Sequence, residues 1–140
     1  MTLTQILKML VACILVITFI LVSASAYRQH RTTSALAELT DTTSTIATQL
    51  AVDELAYIDG AGNKYSYVLD PGRLENFTFE REIGGENFEF QISLCYGSEN
   101  RTFGPAPPEN KTNCSLIVAC SLWLNDRFQL AKLGVIAWHA

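Results

Sequence analysis

The chain has 140 residues, of which 49% are hydrophobic and 17% charged, and its formal net charge is -4. That length suits one domain of ordinary size, and the composition excludes a disordered chain, in which low hydrophobicity accompanies high charge. The acidic balance also argues against nucleic acid as a partner, because phosphate binding needs a basic face.

Residues 9–27 read MLVACILVITFILVSASAY and carry no charge. As an α-helix they would be roughly 28 Å long, close to the hydrocarbon thickness of a bilayer. Lys8 precedes them, and Arg28, His30 and Arg31 follow, so hydropathy predicts a single-pass anchor embedded in membrane lipid. The same residues also fit a cleaved secretory signal, with Lys8 as the basic flank, residues 9–22 as the apolar stretch and Ala24-Ser25-Ala26 as the cleavage site. The apolar run continues to full spanning length, which favours the retained anchor. Basic residues flank it on both sides and do not decide its orientation.

Orientation comes from further along the chain. Asn76, Asn100, Asn110 and Asn113 each head an Asn-x-Ser/Thr triplet, the acceptor pattern for N-glycosylation. Three of the four cluster in one Pro-rich stretch, which points to an extracytoplasmic side for everything after Tyr27 and leaves residues 1–8 in the cytoplasm. The plainer alternative is that these are unmodified loop asparagines.

From Ser34 the apolar residues fall at Leu36, Leu39, Ile46, Leu50 and Leu55, with Thr43 at the missing step. These spacings describe a helical stripe. Residues 40–45 are rich in threonine, a poor helix former, so a kink or break is expected there. The prediction is one long helix from about Ile6 to about Tyr57: transmembrane over residues 9–27, amphipathic over residues 28–58. Ile14 and Phe19 are candidates for packing against like helices, and Leu36, Leu39, Ile46 and Leu50 for the packing stripe.

Residues 59–140 read as an antiparallel β head. Asp59 to Asn63 is a turn, Lys64 to Leu69 a short strand, and Gly84-Gly85 joins two strands as a hairpin, from Leu74 to Ile83 and from Asn87 to Cys95. Phe88, Phe90, Ile92 and Leu94 alternate with polar residues, the mark of a half-buried strand. Tyr96 to Asn113 is expected to be a long loop. Strands from Ser115 to Leu124 and from Phe128 to Trp138 follow, the second so continuously apolar that both its faces should be buried.

The head holds Cys95, Cys114 and Cys120; Cys13 lies in the apolar segment. If the strands ending at Cys95 and starting at Cys114 pair as hairpin neighbours, those two thiols face each other and a disulfide closes the loop, stabilising by roughly 3 kcal/mol. The alternative is three reduced, packed cysteines. No Cys/His spacing suits a metal, no nucleophile elbow or phosphate loop is present, and no cofactor or small-molecule substrate is implied. Asp59-x-Ala61-x-Asn63 faintly echoes a calcium loop but reads better as a hydrogen-bonded turn. The glutamates from Glu75 to Glu89 read as a solvated strand face, and Trp123, Trp138, Phe77 and Phe79 as core. An enzyme is not expected.

An apolar N-terminal helix running into an amphipathic one, then a compact β head, resembles the type IV pilin-like proteins. The stretches from Gln49 to Tyr57 and from Leu74 to Leu94 look particularly like archaeal versions. The usual processing pattern is absent, since Lys8 is followed directly by Met9, and residues 9–27 lack the early acidic residue of bacterial pilins. The resemblance implies an α+β fold with a long helix packed on the head. It also implies a structural role at the cell membrane or in an archaeal surface filament, with copies of itself or other pilin-like subunits as partners. The competing function is a secreted or tethered β-domain that binds a partner after cleavage behind Ala26.

Overall fold

A computed structural model describes residues 2–140. Helix α1 (Leu3–Gln49) runs unbroken through residues 40–45. Two of the threonine hydroxyls bond back into the helix. Thr43 donates to the Leu39 carbonyl at 2.7 Å and Thr45 to that of Asp41 at 2.9 Å. Such bonds satisfy the hydroxyls without favouring the helix; packing of this face into the core overrides the weak propensity. Thr42 and Thr43 are themselves buried.

The helix ends sooner than its spacing predicts. Leu50–Glu54 forms a π-turn, closed by the Leu55 amide donating to the Leu50 carbonyl at 2.9 Å. Ala56–Ile58 is then strand β1 rather than further helix. Side chains from the sheet fix this end: Arg81 reaches Gln49 at 2.7 Å and Glu54 at 2.5 Å, and Lys64 pairs with Asp53.

The remaining strands are β2 (Lys64–Leu69), β3 (Glu80–Ile83), β4 (Glu86–Tyr96), β5 (Glu99–Phe103), β6 (Asn113–Leu124) and β7 (Arg127–His139), with a 3₁₀ turn at Pro71–Leu74. They form one sheet in the order β1-β2-β6-β7-β4-β3, with β5 lying beside β4 beyond the end of β3. The sheet is mixed, because β2 runs parallel to β6 at Val68 and Leu69; the expected wholly antiparallel head is corrected on this point. The predicted Gly84-Gly85 hairpin is present, and both glycines take positive φ, 62° and 81°. A two-residue turn of that hand needs residues that tolerate the left-handed region. Asn125 and Asp126 serve the β6–β7 hairpin in the same way.

Compact packing divides the chain into Met1–Ala37 and Glu38–Ala140. In the second unit Leu39, Ile46, Ala47, Leu50, Ala51 and Leu55 join Phe88, Phe90, Ile92 and Leu94 of β4, Leu133, Val135 and Ala137 of β7 and Leu122 of β6 in one core. Each fully buried Leu, Ile, Val or Phe among them contributes about 1.5–3 kcal/mol. The helix covers one face of the sheet and buries β7 at Ala131, Leu133, Val135 and Ala137. On the other side Phe128, Leu130 and Lys132 are exposed while Ile136 is half-buried and Trp138 fully buried, so the expectation that both faces are covered fails over the first half of the strand and holds only at its end.

The first unit is the opposite case. Every described residue before Leu39 is exposed, including the whole apolar stretch, and the helix is long and apolar enough to cross a membrane.

Candidate functional site

The predicted helix positions separate into two groups. Leu39, Ile46 and Leu50 are consumed by the core. Ile14 (55% exposed) and Phe19 (73%) sit on a helix that is apolar all round, and Leu36 is 44% exposed. An apolar surface of that extent is expensive in water and stable in lipid or against other helices. Ile14 and Phe19 therefore belong to the surface available to a partner, whereas Leu39, Ile46 and Leu50 hold the fold together.

The four acceptor asparagines are all exposed, and so are their hydroxyl partners Thr78, Thr102, Thr112 and Ser115. Asn76, at φ 58°, follows the 3₁₀ turn. Asn100 lies on β5 opposite Cys95, Asn110 in the loop before β6, and Asn113 at the start of β6 opposite Trp138.

The Cys95–Cys114 bridge does not form; all four cysteines are free. The premise that their strands are neighbours fails, because β7 lies between β4 and β6. Cys95 pairs with Lys132 and Cys114 with Ala137. Two strand spacings and five residues of offset put them roughly 10 Å apart across the sheet and roughly 17 Å along it, far beyond the limit of about 7 Å. Cys114 instead meets Thr40 of α1, Sγ to Oγ1 at 3.6 Å. Burial pushes the Cys120 thiol up to about 11, the Leu133 backbone opposing it, so it stays protonated at neutral pH.

The Asp59 segment is the hydrogen-bonded turn. Its carboxylate accepts from the Asn63 amide at 2.8 Å, the Ala61 amide at 3.0 Å and the Tyr65 hydroxyl at 2.9 Å. These bonds, that of the Asn63 backbone foremost, hold its pKa below the ordinary 3.8.

Trp123, expected in the core, instead lies half-buried in an aromatic row on the face of the sheet opposite the helix. Tyr65 stacks on Tyr57 at 5.9 Å, Tyr57 on Trp123 at 4.7 Å, and Trp123 meets Phe128 at 4.7 Å. Nearby on the same face, Leu130 is 88% and Ile117 70% exposed. The alternation of β6 and β7 was the available signal, masked by apolar residues at both parities. The other aromatics expected in the core behave differently: Phe77 and Phe79 pack half-buried on it, and Trp138 is fully buried but apart from it. Comparison of the chain with protein families, with curated proteins and with solved structures finds no match.

Proposed function

We propose that the chain is a membrane-anchored, extracytoplasmic, pilin-like structural subunit that associates through its apolar N-terminal helix, with no catalytic role. The observation that carries this reading is the exposed, uncharged stretch 9–27 on the same helix whose stripe Leu39–Ile46–Leu50 is built into a folded unit. Four exposed acceptor triplets in the second unit support an extracytoplasmic location. The apolar stretch is the part that would pack on like helices, in the membrane or in a filament core.

The test is Ile14→Lys or Phe19→Lys in the full-length chain. A charge at the centre of a spanning helix costs about 2.5–3.5 kcal/mol on insertion scales. Either change should abolish membrane retention or assembly while the β signature in circular dichroism is kept. Unchanged localisation would defeat the anchor.

A second reading has its own observation in the partly exposed aromatic row with the exposed Leu130 and Ile117. A released β-domain could use that face to bind a partner.

A further inference from the structure

Formal charge is sorted along the chain. All 14 acidic residues lie at or after Glu38, and before it the charged residues are Lys8, Arg28 and Arg31. Just past the apolar stretch Arg28 and Arg31 stand one helical turn apart, exposed. Farther along α1 Glu38 and Asp41 stand with the same spacing, also exposed. Among the described residues none of these four side chains forms an ion pair within the chain. The offset from Arg28 to Glu38 equals that from Arg31 to Asp41, ten residues.

We infer that the partner of this helix is a second, parallel copy shifted by ten residues, so that Arg28 and Arg31 of one copy meet Glu38 and Asp41 of the next. The inference rests on the self-associating reading above and specifies its register. Ten residues of α-helix advance about 15 Å, too far for either arginine to satisfy its acid within one helix. Between copies the two contacts form together, because both pairs have the same internal spacing. An in-register parallel pair would instead place arginine against arginine and acid against acid, which charge repulsion disfavours. The shifted contact leaves one copy's acids and the other's arginines unpaired, so it can repeat from copy to copy without closing.

The test uses the full-length chain in membranes. R28K with R31K keeps the charges and supplies amines that a carbodiimide can couple to carboxylates at contact distance. Cross-linked peptides joining positions 28 and 38, or 31 and 41, are expected, and must be intermolecular. Charge reversal by R28E/R31E, or separately by E38R/D41R, leaves no amine–carboxylate pair to cross-link and is read instead as the oligomer fraction of the detergent-extracted chain in analytical ultracentrifugation, which each should lower about tenfold, the scale expected for losing two exposed pairs and gaining repulsion. Combining all four changes should restore it.

Oligomers that persist through both reversals, or that link only at other positions, would overturn the ten-residue register and leave self-association standing. Absence of any oligomer from the unaltered chain would overturn both. If R28E/R31E weakens only attachment to vesicles containing anionic phospholipid, the arginines serve lipid headgroups and the register falls.

Discussion

Trp138 is fully buried outside the main core, and its indole Nε1–H donates to Glu89 Oε2 at 3.0 Å. A buried donor stripped of its acceptor costs about 1–3 kcal/mol. Glu89→Leu should therefore destabilise the folded chain by that amount in a denaturant titration, while Glu89→Gln, which keeps an acceptor oxygen, should stay within about 0.5 kcal/mol of the original. Equal losses for both would mean that the bond contributes nothing. The pairing of these two residues was not legible in advance. Alternation along β4 showed that Glu89 faces away from Phe88 and Phe90, but strand order alone decides which residue lies across from it. Cys95 and Cys114 failed for the same reason: the insertion of β7 between their strands was not readable. Asp59 was readable because all its partners lie within six residues. Its lowered pKa means that its contribution to the turn is present above about pH 4 and is lost as pH falls through the depressed value.

At the scale of elements, local signals were read well and long-range ones poorly. The spacing Leu39, Thr43, Ile46, Leu50 identified a helix face and the structure buries all four. Leu36, read as part of the same stripe, stays 44% exposed, because the core begins at Leu39. Ile46→Ala or Leu50→Ala should cost about 2–5 kcal/mol, the range for cavities in a packed core, and Leu36→Ala distinctly less. Thermal or chemical unfolding of the three variants in one detergent measures the order, and a Leu36 loss equal to the others would show the stripe to be continuous. The early end of the helix carried no such signal, since Ala56-Tyr57-Ile58 suits helix and strand alike. Its fate is set by pairing with β2 and by Arg81 and Lys64 holding the π-turn. Strand β5, Glu-Asn-Arg-Thr-Phe, hid inside the expected loop because an edge strand has little apolar pattern to display.

The chain as a whole joins a segment that buries nothing to a unit with a complete core. Water penalises the first arrangement and tolerates the second, so the apolar stretch must be either removed or covered. The two outcomes differ in covalent structure, which makes the N-terminus and intact mass of the native protein the deciding measurement. Under the anchored reading, protein recovered from membranes keeps residues 9–26, with or without the first eight. Any mass beyond the polypeptide should then vanish stepwise as Thr78, Thr102, Thr112 and Ser115 are replaced by alanine, because each replacement removes one acceptor triplet. Under the released reading, protein recovered from the medium begins at Tyr27 and carries no spanning segment. The stripe at Leu39, Ile46 and Leu50 would still complete the core, and the partly exposed row Tyr65–Tyr57–Trp123–Phe128 would become the surface left for a partner. A membrane species starting at Tyr27 would contradict both, since it would have lost the apolar stretch and yet not been released.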